Sequence, residues 1–310
     1  MSTDLRVVAA DYLRLRRGLG YRLADHHWLI AQFLDHVAER GATVITVGDA
    51  LAFAAAPAAS THRWHATRLQ VIRGFCAFVH ACDPAAAEVI PPGLIRARIC
   101  RRIPYLYSEE QICQLMAQAE TLYPAMFGAT IATMIGLIAA TGIRSGEAIL
   151  LDVEDFSADL SVMTVTGKYG KKRLVPLHPS TTDALTGYLL LRPTMESSTD
   201  SGPLLIGWHG ARLNKNTARA AFRQVADALG LPTQPGAATP RLHDMRHLFA
   251  VNSLIDAHRQ GADVDARIAA LAAYLGHVDP VNTYWYLHAS PELMALVTAR
   301  MAAHQAGPRR

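Results

Sequence analysis

Apolar and polar positions follow two different periods along this chain. From the first residues to about position 95, apolar side chains recur every three or four places, which lines one face of a helix. Four helices are predicted there, at 4–18, 25–40, 46–56 and 60–82, with Asp25 and Thr61 as caps. A proline-rich stretch then breaks the pattern at Pro84, Pro91, Pro92 and Pro104. Ser108-Glu-Glu-Gln reads as a capping box opening the next helix, followed by a helix at 125–140 that is apolar on every side and therefore buried. Between 154 and 177 the period drops to two, with β-branched residues and turn signals at Ala158-Asp159 and Tyr169-Gly170, which predicts an antiparallel sheet of two or three strands. Helical spacing then returns at 179–191, 214–230, 243–260, 264–274 and 290–304.

Composition narrows the class. The chain has 310 residues, half of them apolar and 18% charged, so it can bury two cores and is not disordered. Its net charge is only +4, but the basic residues are mostly Arg, which forms planar paired bonds with phosphate; a GC-rich genome, which favours Arg and Ala codons, accounts for the bias equally well. Cys76, Cys82, Cys100 and Cys113 lack C-x-x-C spacing, and the start of the chain is a charged amphipathic helix rather than a signal peptide; a reducing cytoplasm is expected. The uncharged stretch 121–143 is long enough to span a bilayer, yet its Pro, Gly, Thr and Ala content favours a buried helix and no membrane partner.

Two basic regions are candidate DNA contacts. The helix at 60–82 begins with His62, Arg63, His65 and Arg68 and ends apolar, as if one end lay on a phosphate backbone and the other in a core; a solvated face is the alternative. The linker carries Arg96, Arg98, Arg101 and Arg102, and a basic arm gains free energy by neutralising phosphates.

Residues 243–247, HDMRH, differ by little from the helical zinc motif H-E-x-x-H. Asp244 is shorter than the Glu that motif needs, and Arg246 would set a fixed positive charge beside a dication. The alternative takes Arg246 as the functional group, with His243 one turn away on the same face. Around it stand ATGIRSGE with Arg144 and Glu147, the hairpin VTGKYGKKRLVPL with Lys168, LGH with His277, and TYWYLH with Tyr286.

In this order and at these spacings the segments resemble the tyrosine recombinase (phage integrase) family, from about residue 105 to the end. The resemblance implies a mainly α fold with a small antiparallel β-sheet: an N-terminal helical core-binding (SAM-like) domain at 1–95, a basic linker at 96–104 and an α+β catalytic domain at 105–310. It assigns Arg144, Arg246 and His277 to the phosphate, Lys168 to the leaving oxygen, His243 to the proton of the nucleophile, Tyr286 to nucleophilic attack, and Glu147 to support of Arg144. Lys171 and Lys172 are further DNA-binding candidates and alternatives to Lys168; Tyr284 is the alternative to Tyr286. Asp244 is read as fixing the helix start or a neighbouring Arg. The stretch between Arg246 and His277 is longer than in compact members, which predicts an extra helical turn or two.

The implied activity is site-specific cutting and rejoining of DNA through a 3′-phosphotyrosine, without metal, ATP or other cofactor. The partners implied are double-stranded DNA, a homo-tetramer spanning two sites by way of a Holliday junction, and partner recombinases or accessory proteins, as in integration or transposition of mobile elements. Two rivals stay open: a recombinase-like DNA-binding subunit without its own activity, and a type IB topoisomerase.

Overall fold

The computed structural model describes residues 4–21, 23, 26–58, 60–97, 103–167, 170–192, 202–231, 239–276 and 291–306. The chain divides into two compact units, Met1–Arg101 and Arg102–Arg310.

The first unit is helical, with α1 (Leu5–Gly18), α2 (His26–Glu39), α3 (Val47–Ala55) and α4 (His62–Cys82). Thr61 caps α4 as expected, its side chain accepting from the Trp64 N–H. Thr46 and Asp49 form a reciprocal capping box at α3. The core is built from Tyr12, Phe33, Phe53, Ile72 and Phe75, with the Phe33 and Phe53 rings edge to face. Arg68 departs from its expected place. It is buried, its guanidinium lies 3.9 Å from the centre of the Phe53 ring, and it donates to the Phe53 carbonyl at 2.9 Å. Its long stem and planar head fill core volume, so it is not presented to a nucleic-acid backbone. Arg63 and Arg96 are exposed, while Arg98, Arg101 and Arg102 lie outside the described residues.

The second unit is organised around α6 (Ala125–Thr141), which packs against α5 (Glu109–Leu122), α7 (Ser145–Leu150), α8 (Pro179–Leu191), α9 (Lys215–Ala228) and α10 (Leu242–Arg259). Phe127, Ile131, Met134, Ile135 and Ile138 of α6 are all buried, which explains a sequence without a polar face. Ser108 and Gln111 make the predicted capping box of α5. Gly128 lets α5 and α6 approach closely: a Cβ there would stand 2.8 Å from the Ala119 carbonyl oxygen. Among the described residues no helix is long and apolar enough to cross a membrane.

The sheet has two antiparallel strands, β1 (Val162–Thr166) and β2 (Lys172–Pro176), with Met163 opposite Val175 and Val165 opposite Arg173. A third strand does not form before them. Residues Val153–Asp155 turn into a 3₁₀ helix closed by Asp152 and Asp155, leaving one isolated bridge between Phe156 and Met163. The short helix α7 has too few residues to show a period and is not anticipated by the sequence pattern. The chain continues through α10 into α11 (Val264–Leu275), and α12 (Pro291–Ala306) packs on α10. Val251, Leu254, Ile255, Ile268, Leu271, Leu275 and Leu293 give these helices a core of their own.

Candidate active site

The site is built at the C-terminal end of α11. The last carbonyls of a helix have no partner within it and carry the negative end of the helix dipole. Here three successive carbonyls each accept from a different arginine. Arg173 donates from Nε to Tyr274 at 2.8 Å, Arg246 from Nη2 to Leu275 at 2.8 Å, and Arg144 from Nη2 to Gly276 at 3.3 Å. Consecutive Cα atoms lie about 3.8 Å apart, so the three cations converge on a short length of chain.

Each arginine arrives by a local device. Arg144 sits directly after the turn that ends α6, at the start of α7. Its backbone N–H donates to Glu147 Oε2 at 3.0 Å and its Nη1 to Oε1 at 2.7 Å. Gly142 makes that turn possible: it ends α6 with a left-handed φ of 62°, and a Cβ would come 2.5 Å from the Phe249 ring. The Gly142 carbonyl in turn accepts from Arg246 Nη1 at 2.7 Å. Arg246 therefore bridges the ends of α6 and α11 from within α10, and is only 1% exposed.

Glu147 is held by two guanidiniums. Besides Arg144, it accepts from Arg173 at 2.8 Å on Oε2 and 3.3 Å on Oε1. Burial alone would push its carboxyl up. The hydrogen bonds from Arg173 and Arg144 and the charge of Arg173 outweigh that and hold it below the ordinary carboxylate value.

His243 lies one turn before Arg246 on α10, with its side chain reaching the surface. Partial desolvation, followed by the charge of Arg246 and more weakly of Arg241 and Arg144, holds its imidazole below the ordinary histidine value despite the opposing charge of Asp244. It is therefore neutral near pH 7 and able to accept a proton. Its ring meets His247 edge to face at 5.0 Å.

Asp244 does not face outward. It is fully buried and holds the start of α10, accepting from the Arg241 N–H at 3.1 Å and from Nη2 at 2.7 Å. Tyr107 donates to the Arg241 carbonyl at 3.0 Å, tying this helix start to the segment before α5. Asp244 thus fixes the helix start and a neighbouring arginine, and no group of three or more His, Cys, Asp or Glu able to hold a metal ion stands among the described residues.

The described structure brings Arg144, Glu147, His243 and Arg246 to one end of the unit. Lys171 and Lys172 are exposed where β2 begins. Lys168, His277 and Tyr286, with the alternative Tyr284, lie outside the described residues. Arg173 is the residue that sequence reasoning passed over. Its signal was present: in β2 it shares the inward side with Val175, and a cation among inward apolar positions calls for a buried acidic partner.

Comparison with known proteins bears on the family and the fold. The phage integrase family pattern matches residues 106–292. The Sinorhizobium fredii protein y4rB, which carries the name integrase/recombinase, is 35% identical over 97% of this chain and 98% of its own length. Tyrosine recombinase XerC of Mycobacterium leprae is 29% identical over 82% of this chain and 80% of its own. Among solved structures, the Tn1549 transposon integrase in complex with transposon right-end DNA superposes with a TM-score of 0.61 at 13% identity, covering 97% of this chain and 100% of that one. A lambda integrase dimer bound to a COC′ core site gives a TM-score of 0.60 at 16% identity, covering 91% and 77%. Sequence and fold together define the class, the tyrosine-type site-specific DNA recombinases. The chain belongs to the phage integrase family.

Proposed function

We propose that this protein cuts and rejoins DNA strands at a specific site through a 3′-phosphotyrosine on Tyr286. The observation that carries the reading is the docking of Arg144 and Arg246 on adjacent carbonyls, Gly276 and Leu275, directly before His277 in the chain. A phosphodiester resists nucleophiles because it is already charged, and transfer requires donors for the negative charge that develops on its oxygens. Two guanidiniums supply such donors in a fixed planar geometry, and His277 adds a third. Because Arg246 is 1% exposed, the reading requires DNA binding to uncover it.

The Tyr286 phenol attacks phosphorus while His243, neutral near pH 7, takes its proton. The 5′-oxygen leaves with a proton from Lys168, and the strand end stays bonded to the tyrosine. A second 5′-hydroxyl then attacks the phosphotyrosine, releasing the phenol and resealing DNA with no net change in bond energy, so neither ATP nor a metal enters. The unit Met1–Arg101 serves as core-binding domain with Arg63 as a phosphate contact, Arg96, Arg98, Arg101 and Arg102 contact phosphates from the linker, and the unit Arg102–Arg310 serves as the catalytic domain, with Lys171 and Lys172 on DNA. Four copies on two DNA sites exchange one strand pair at a time through a four-way junction. Double-stranded DNA as partner is supported by the DNA-bound recombinases that share the fold.

The test uses nicked duplexes covering the genomic DNA that flanks the gene, incubated with the full chain and a chelator. A protein–DNA adduct that survives denaturant is the expected result. Bound DNA with no adduct at any position would make the chain a binding subunit instead, and relaxation of supercoils by a single copy would make it a topoisomerase.

A further inference from the structure

Arg173 has no part in the chemistry just described, yet it joins β2 to α7 and to the end of α11, two of the elements that frame the site. It projects from β2, the strand that follows Lys168 in the hairpin, bonds both oxygens of Glu147, and donates to Tyr274 near the end of α11. Gly276 packs against it, where a Cβ would stand 3.2 Å from its Nη1. The three charged partners differ in exposure: the Arg144 side chain is 32% accessible, that of Arg173 14% and that of Glu147 8%. Arg144 is the member presented outward, and the other two lie behind it.

We propose that Arg173 is a positioning residue for strand transfer, neutralising Glu147 so that Arg144 keeps its positive charge for the phosphate, and locking the hairpin to the end of α11. The charge balance is direct. One carboxylate between two guanidiniums leaves one net positive charge, carried by the exposed member. Without Arg173, Glu147 has Arg144 alone, the pair is neutral, and the guanidinium turns its donors to the carboxylate rather than to substrate. The role depends on low solvent access, because the same trio in open water would be screened. The inference rests on the strand-transfer reading for its substrate, but its electrostatic core does not.

The test compares wild type, Arg173→Gln, Glu147→Gln and the double variant, each checked for a cooperative thermal transition. At saturating nicked DNA, Arg173→Gln should form adduct at least about tenfold more slowly, while DNA affinity stays within about threefold. Adding Glu147→Gln should recover part of that loss, because the charge of Arg144 is restored. A residue that merely stabilises the fold gives the opposite sign, since the second substitution removes a further buried partner. Wild-type rate in Arg173→Gln, or a double variant slower than the single, overturns the proposal.

Failure of the strand-transfer reading shows separately, as no adduct with wild type. In that case inorganic phosphate is titrated and followed by NMR of the arginine Nε–H signals. Phosphate affinity should fall in Arg173→Gln and recover in the double variant, and equal or absent binding in all of them contradicts the proposal.

Discussion

Arg246 Nη1 lies 2.7 Å from the carbonyl oxygen of Gly142, and this contact ties the second turn of α10 to the turn that ends α6. The same guanidinium reaches Leu275 with its other terminal nitrogen, so one planar group sets the spacing of two helix ends. A lysine carries a single ammonium at the end of its stem and cannot span both carbonyls as a fork does. Arg246→Lys should therefore reduce adduct formation by about a hundredfold or more, read as the single-turnover rate on nicked DNA. Arg246→Ala strands two buried carbonyls and opens a cavity, and should also lower unfolding free energy by about 3 kcal/mol, measured by urea titration.

Gly142 meets two constraints at once, a φ of 62° and a Phe249 ring where its Cβ would go. Gly142→Ala should cost about 2–4 kcal/mol of stability from backbone strain and overpacking together. Pairing it with Phe249→Ala should relieve the steric part and leave the backbone part, about 1 kcal/mol, in a double-mutant cycle.

Two groups make the site pH-dependent in different windows. Glu147 has a folded pKa below its unfolded value, so its contribution to stability is complete above the ordinary carboxylate range and disappears as pH falls through the folded value. Acid unfolding of Glu147→Gln should therefore show a flatter dependence than wild type below about pH 4.3. His243 is also held low, so it stays neutral below its ordinary value and the acid limb of the cleavage rate should lie under about pH 6.5. In His243→Gln that limb should vanish along with most of the rate.

Asp244 supports the start of α10 rather than chemistry. Asp244→Asn keeps the shape but loses the charge that holds Arg241, and should lower stability by about 2–3 kcal/mol in a thermal or urea melt. A chelator should leave cleavage by wild type unchanged; loss of activity restored by zinc would revive the metal reading of HDMRH.

How much the sequence disclosed follows from the range of the physics involved. The α6 helix, the Thr61 and Ser108 caps and the hairpin were legible because period and capping act over a few neighbouring residues. Arg144, His243 and Arg246 stood out by motif, and the docking of the two arginines on the end of α11 appeared only in the fold. Arg173 escaped because its acidic partner lies 26 positions away, on the far side of a turn and a strand. Arg68 was misjudged for a related reason: its helical position looks basic and exposed, and only the packing of α3 beneath it supplies the Phe53 ring. The six-residue α7, at whose start Glu147 accepts from the Arg144 N–H, is too short to create a period.

The central claim is that the cations gathered at the end of α11 expose a backbone phosphorus to the phenol of Tyr286. Peptide mapping of the denaturant-stable adduct, run beside Tyr286→Phe on the same nicked DNA, tests it most directly. The account predicts a nucleotide remnant on Tyr286 in wild type, with the Phe variant binding DNA at similar affinity and forming no adduct. An adduct that persists in Tyr286→Phe, or a remnant mapped to Tyr284, would contradict it.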